Sequence, residues 1–418
     1  MAELTQVLNE IRAHASADYQ RNVPVAVREN LQQVADVVMS SQVLQNDYVA
    51  AIVNRISGER YTSRRYEDQF QKFRKGTNRY GTTIEEIYVN MANAHEYNPA
   101  IAENEVYKRV IPDVNAVFHR RNSKIFYKNT IQYDALYASF LSEGGMRSLV
   151  AQIVDQMYGA NNRDQFYQTK ALMSGNAPYF YQVNVPAVSA QNADAIVTTI
   201  RTMSNMLTFP SDLYNHYGVT NFTPKERQVL ILRADVAAVV DVNSLAMAFN
   251  LQYRDFMAGA YMITDDFGEN MENCVGLLVD DEFFQIYDNL IKFTENYNGQ
   301  GLNWQYFLHH WATYSVSPFS NAIMFTTAAL TPATAITITP ASAEMGKDDT
   351  QVFDATVTPT TASQAVRWSV SGSTQADTYI TATGLLHVGV EESAETLTVT
   401  ATSVQTPTIT KTATVTLS

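Results

Sequence analysis

Hydrophobic and polar positions follow two different periods along this chain, and the change comes near residue 330. Before it, apolar residues recur at helical spacing. Leu4, Val7, Leu8 and Ile11 mark one short amphipathic helix, and Leu31, Val34, Val37 and Val38 mark a second. The strongest stripe is Met146, Leu149, Val150, Ile153, Val154, Met157 and Tyr158, spaced as one face of a helix. It follows Gly144-Gly145 and predicts a helix over about 145–172, with Leu149, Val150, Ile153, Val154 and Met157 on its core side. Such a helix is roughly 40 Å long at 1.5 Å per residue, so it needs an extended body to pack against. Strand-like runs at Val229–Leu232, Val275–Val279 and Ala322–Thr327 are interleaved with the helices without a regular βαβ period. That predicts an α+β architecture rather than a doubly wound sheet.

After residue 330 the period becomes two. Ile336 and Ile338 share a face, as do Phe353, Ala355 and Val357; Val366, Trp368 and Val370; Leu397, Val399 and Ala401; and Ala413, Val415 and Leu417. Side chains two apart lie on the same side of a strand. Turn signals separate the runs: Pro340, Gly346-Lys347-Asp348-Asp349, Pro359, Ser371-Gly372-Ser373, Gly384 and Pro407. Short alternating strands between such turns predict an Ig-like β-sandwich over 331–418, with Trp368 as its central core aromatic. The extended linker Ala328–Thr334 separates it from residues 1–330.

Composition narrows the function. The 418 residues hold 29 Lys+Arg and 42 Asp+Glu, a formal charge of −13, the wrong sign for a protein whose main task is coating nucleic acid. The first residues show no basic-then-apolar secretory pattern, and no apolar run reaches membrane-spanning length. Cys274 is the single cysteine, which excludes an internal disulfide and a zinc site built from cysteines. Gly76–Gly81 has the outline of a phosphate loop but continues Thr82-Thr83, without the lysine. His309 and His310 are adjacent and therefore point to opposite faces of a strand. Asp265–Asn270 lacks the ligand alternation of a calcium loop and reads as a turn. No arrangement supplies a nucleophile with its base and oxyanion donors, so neither enzyme, metal nor cofactor is expected.

Two basic islands stand out. Arg55, Arg60, Arg64, Arg65, Lys72, Arg74, Lys75 and Arg79 face only Glu59, Glu67 and Asp68 in sequence; Lys108, Arg109, Arg120, Arg121, Lys124 and Lys128 face only Asp113. Each reads either as a solvated face or as contact with acidic surface on a neighbouring subunit. The first island ends in Phe73-Arg74-Lys75-Gly76, followed by Gly81-Thr82-Thr83-Ile84-Glu85-Glu86-Ile87-Tyr88. Two glycines around polar residues suggest a projecting arm that buries little in its own chain.

The string Phe73–Tyr88 resembles the extended-arm region of the major capsid proteins of small short-tailed phages, the Salasmaviridae type. The resemblance recurs in order at Phe118–Asn122, Phe126–Gln132, Asp241–Asn250, Leu278–Asp280, Tyr287–Leu290, Gly301–Trp304 and Trp311–Ala322. Val366–Val370 and Gly384-Leu385-Leu386 resemble a bacterial Ig-like group 2 domain, with Trp368 and Leu385 at its core. The resemblance implies a Hong Kong 97-like capsid fold for 1–330. Its parts would be an N-terminal arm, an extended loop at about 55–90, a spine helix at about 145–172 in a peripheral domain, and an axial domain at about 209–313. Inter-subunit contacts are then expected of Lys72, Phe73, Arg74, Lys75, Gly76, Arg79, Gly81, Glu85 and Glu86. The implied partners are further copies in hexamers and pentamers, scaffolding and portal proteins, and enclosed double-stranded DNA held without sequence reading; no membrane is implied. The particle would form in the host bacterial cytoplasm, with the Ig-like domain on the exterior of an icosahedral or prolate shell. Lysine crosslinks are not carried over, because no Lys/Asn pair lies in a matching motif. The rival reading is a bacterial cell-surface or cell-wall binding protein, and another virion part, such as a portal or tail protein, is a further one.

Overall fold

The computed structural model describes residues 2–48, 66–78, 83–92, 94, 114–132, 145–240, 260–375 and 377–418. A long hairpin organises the first body. Strands β9 (Phe284–Asn298) and β10 (Asn303–Val316) pair antiparallel, flanked by β1 (Arg74–Thr77) and β4 (Ser123–Gln132) in the order β1-β9-β10-β4. Strict alternation over the first nine residues of β10, Asn303 to Trp311, decides its two sides. Trp304, Tyr306, Leu308 and His310 are buried, whereas Gln305, Phe307, His309 and Trp311 are not.

The buried side packs on helices α1 (Ala2–His14), α2 (Ala17–Asn22) and α3 (Leu31–Met39), and on a 31-residue helix, α4 (Gly145–Gly175). Val154 and Met157 of α4 enter this core together with Leu8, Ile11, Val34 and Val38. The side chains of Leu149, Val150 and Ile153 lie outside the described ones. Further along α4, Phe166 and Met173 pack into a second cluster with Phe70, Phe73 and Phe284. Successive turns of one helix thus tie the two clusters together.

The second body is a five-stranded sheet in the order β5-β11-β8-β6-β7: β5 (Tyr181–Asn184), β6 (Gln228–Arg233), β7 (Ala260–Thr264), β8 (Cys274–Asp280) and β11 (Ala322–Thr326). All seven residues of β8 are buried. Leu277 and Val279 face one core, while Val275 and Leu278 face another that holds Ile196 and Ile200 of helix α5 (Ala193–Met206) and Val236 of helix α6 (Ala234–Val240). A sheet covered on both sides reads as continuous apolar runs. Strand pairing divides the chain differently from the expected axial span of about 209–313. Residues 284–316 belong to the first sheet, and residues 181–184 and 322–326 complete the second.

The C-terminal body is all β, from β12 (Ala335–Thr339) to β20 (Thr410–Leu417). Its core contains Ile336, Ile338, Phe353, Val357, Leu386, Leu397, Val399, Ala401, Ala413 and Val415. Two core expectations are corrected. Phe353 is the fully buried ring and Trp368 is only partly covered, lying beside Gly384. In β18 (Leu385–His387) the two-residue period turns Leu386 inward, so Leu385 is half-buried outside the core. Gly384 has φ +80, and a Cβ there would meet the Phe353 carbonyl oxygen at 2.2 Å, so only glycine fits.

This sandwich sits against the second body through polar contacts. Arg367 Nη2 lies 2.6 Å from Asp212 Oδ1. The Gln405 side chain donates to the Gln182 carbonyl at 3.1 Å and accepts from its N–H at 3.3 Å. Gln364 N–H donates to the Pro178 carbonyl at 2.7 Å. Among the described residues no helix is long and apolar enough to cross a membrane.

Candidate functional site

Strands β2 (Thr83–Val89) and β3 (Val114–Arg120) form a separate antiparallel ribbon, with Glu85 opposite Phe118 and Ile87 opposite Ala116. A two-stranded ribbon has little stability of its own, so what fastens it matters. On its inner face His119 is buried at 1% exposure. Its Nε2 is 2.9 Å from Glu86 Oε2 and its Nδ1 is 2.7 Å from Ser315 Oγ. With the proton on Nε2, the ring donates to the carboxylate and accepts from the hydroxyl. Ser317 donates to the other Glu86 oxygen at 2.7 Å. The Tyr88 hydroxyl donates to the Thr220 carbonyl at 2.6 Å, and its ring stacks on Phe319 at 5.3 Å. Both strands are therefore bolted to the end of β10 and the loop after it.

The outer face is the reverse. Ile87, Val89, Phe118 and Val114 are 59%, 57%, 56% and 45% exposed, and Glu85 and Arg120 are exposed beside them. Apolar residues aligned on one side of a ribbon mark a surface that gains by being covered.

The segment before the ribbon behaves otherwise than the sequence suggests. Phe73–Lys75 is not a free arm but part of its own chain's core. Phe73 is buried between Phe70 and Phe284, at ring distances of 5.9 and 4.4 Å. Strand β1 pairs parallel with β9, Arg74 opposite Ile286. Arg74 Nη1 lies 2.6 Å from Asp288 Oδ1, and its Nη2 donates to the Tyr314 hydroxyl at 3.3 Å. Asp288 also meets His310 Nε2 at 2.9 Å. Burial pushes the Asp288 carboxyl upward, but the His310 hydrogen bond and the Arg74 charge hold it below the usual carboxylate range.

Lys75 pairs with Glu282, whereas Lys72 is exposed. Gly76 is exposed at φ +116, inside β1 where its pairing with β9 shifts register. Arg79 and Gly81 lie outside the described residues, as does the basic run Arg55–Arg65. The first basic island therefore finds two of its carboxylates, Asp288 and Glu282, within its own subunit, because strand pairing with β9 brings them there. Glu86 likewise faces inward to His119, while Glu85 alone of the pair faces outward.

Sequence reading missed the buried links His119–Glu86 and Arg74–Asp288–His310. Their partners are 22 to 214 residues apart. The available signal was alternation: Asn115, Val117 and His119 share the ribbon's inner face. The opposed directions of His309 and His310 follow from the same rule, with His310 buried and His309 on the other face.

A long helix under a hairpin sheet, a second mixed sheet and a two-stranded ribbon make up a fold of the Hong Kong 97-like phage capsid kind. The capsid structure of Staphylococcus phage Andhra is similar in fold, with a TM-score of 0.54 at 15% identity over 65% of this chain and 87% of that one. Residues 8–326 match the Phi29-like phage major capsid protein family, and residues 332–415 match the bacterial Ig-like domain, group 2. The major capsid protein of Bacillus phage PZA is 32% identical over 96% of this chain and 90% of its own length. That of Bacillus phage GA-1 is 33% identical over 82% and 75%. The chain belongs to the Phi29-like phage major capsid proteins. It is a major capsid protein of tailed phages that assembles into a multimeric shell and carries an Ig-like domain. The cell-surface reading is not favoured.

Proposed function

We propose that this subunit builds the shell through its ribbon. Strands β2 and β3 are read as the extended loop, displaced from the expected 55–90 to the pair 83–89 and 114–120. The ribbon is rigidly fastened on one side, through His119, Glu86, Ser315 and Ser317. It is apolar and uncovered on the other. That contrast is the observation that carries the reading: one subunit leaves the outer face in water, and a neighbour in a closed lattice would cover it. Many such contacts per particle allow each to be weak.

In this account copies group as hexamers and pentamers into an icosahedral or prolate shell in the host bacterial cytoplasm. Scaffolding and portal proteins take part, and the shell confines double-stranded DNA without reading its sequence. Residues 1–330 act as the capsid unit and 331–418 as the Ig-like unit, with α4 as spine. The Ig-like unit carries Lys347, Arg367 and Lys411 against eight acidic residues, which suits an outward, soluble position. The test is assembly of Ile87→Asp/Phe118→Asp. Two charges on the outer face should leave a folded subunit, seen by circular dichroism, that forms no shells by sedimentation and electron microscopy. Normal shells would overturn the ribbon's role.

A further inference from the structure

The tip of the long hairpin carries a residue pair that shell building does not use. Strands β9 and β10 close on the pair Asn298 and Asn303, and Gly299, Gln300, Gly301 and Leu302 form the turn between them. Asn298-Gly299 is the single Asn-Gly step in the 418 residues. Water reaches it: Asn298 is half-buried, and all four residues of the turn are exposed.

The geometry of the turn accounts for one of its glycines and not for the other. A Cβ on Gly301 would meet Asn303 Nδ2 at 2.5 Å and push that side chain aside. At Gly299 the backbone lies outside the left-handed region that favours glycine. Beyond its chain neighbours, the nearest atom to a Cβ there is Tyr297 Cε1 at 3.8 Å, an ordinary contact. Alanine would fit at 299 as well.

What glycine supplies at 299 is chemical. With no Cβ, its amide nitrogen is unhindered and its peptide plane turns readily. Attack of that nitrogen on Asn298 Cγ closes a five-membered ring, a reaction within one chain that needs no encounter. Negative charge then builds on Asn298 Oδ1. That oxygen already accepts from the Gln300 N–H at 3.1 Å and from the Gly301 N–H at 3.2 Å. Donors already aimed at an oxygen that becomes negative stabilise the transition state. Among the described residues no hydrogen bond holds Asn298 Nδ2, the nitrogen that must leave.

We propose that Asn298 is a site of spontaneous covalent modification, at which the folded subunit loses ammonia and becomes aspartate or isoaspartate. Hydroxide takes the Gly299 N–H proton, the N–Cγ bond forms, and the Cγ–Nδ2 bond breaks. The nitrogen leaves as ammonia with a proton from water, which regenerates hydroxide. Water then opens the succinimide at either carbonyl; nothing is oxidised or reduced. Both products add a negative charge at the tip. Isoaspartate also adds a methylene to the backbone at the last pair of the hairpin, next to the Tyr297–Trp304 ring contact of 4.7 Å.

Peptide mass spectrometry of the purified full chain, held in mildly alkaline oxygen-labelled water, tests this. In the folded chain the segment with Asn298 should lose ammonia before any other asparagine and take up one labelled oxygen. It should appear as two isomers, one of which accepts a methyl group from isoaspartyl methyltransferase. Gly299→Ala should keep the circular dichroism and urea midpoint of the native chain and lose most of the rate. Asn298→Gln, whose ring would need six members, should lose it too and serves if Gly299→Ala folds poorly. The chain unfolded in urea shows that the conditions permit the reaction. An intact Asn298 in the folded chain while the unfolded chain reacts would overturn the proposal. Faster loss at another asparagine, an unchanged rate in folded Gly299→Ala, or aspartate formed with no isoaspartate would overturn it as well.

Discussion

Replacing Arg74 by methionine probes how strand β1 is fixed in its own subunit. The substitution keeps most of the volume and removes the charge. Arg74 is about 10% exposed as a side chain, Asp288 16% and Asp68 4%. Without the guanidinium, Asp288 keeps the contact with His310 Nε2, and Asp68 keeps the Phe70 N–H. Removing one member of a buried ion pair costs about 3–5 kcal/mol, chiefly because the other charge stays buried and unpaired. An exposed pair would cost about 0–1 kcal/mol. Urea denaturation of unassembled Arg74→Met against wild type measures the difference.

The pH dependence gives a second readout. Asp288 is held below the usual carboxylate range, so its stabilisation is complete above that range and fades as pH falls toward the lowered folded value. In Arg74→Met the acid-side loss that runs through Asp288 should be smaller, because one of the influences holding the folded carboxyl below its unfolded range is gone. A loss under about 1 kcal/mol with an unchanged acid limb would refute the docking of β1 into its own subunit.

Three further outcomes follow from the Ig-like unit and its seat. Glu392 is buried and accepts from Thr374, Thr378, Ser393 and Ala394. Although burial opposes it, these bonds hold the carboxyl down at about 2. Its contribution should be complete above about pH 4.5, the ordinary glutamate range, and fade toward pH 2. Hydrogen exchange of residues 396–417 should follow that fall, and Glu392→Gln should weaken it. Leu386→Ala should cost about 2–5 kcal/mol as a core truncation, whereas Leu385→Ala should cost under about 1; equal losses in denaturation would contradict the register of β18. Arg367→Ala should raise exchange or protease cleavage in the linker 328–334 while leaving protection of 396–417 unchanged, since the Asp212 contact seats the unit without forming its core.

The two cores were legible wherever periodicity is local. The stripe around Val154 and Met157 belongs to a real helix, and the pattern of Leu397, Val399 and Ala401 to a real strand, because each needs only its own backbone geometry. Adjacent leucines at 385 and 386 defeat such reading, since only the register with Val352 and Gln351 says which points inward. Phe73-Arg74-Lys75 looked like a free cationic arm because its partners, Phe284, Asp288 and Glu282, are more than 200 residues away. Charge counted along the chain cannot see carboxylates delivered by a parallel strand. The ribbon's latch was hidden for the same reason: an ordinary-looking His119 acquires its role only when Ser315 and Glu86 close around it.

The most direct test is assembly of the purified chain, alone and with its scaffold, beside Ile87→Asp/Phe118→Asp, followed by electron microscopy. Closed shells from the native chain and folded, unassembled subunits from the variant are the expected result. Shells in equal yield from both would contradict the claim that neighbouring copies are held through the outer face of the ribbon.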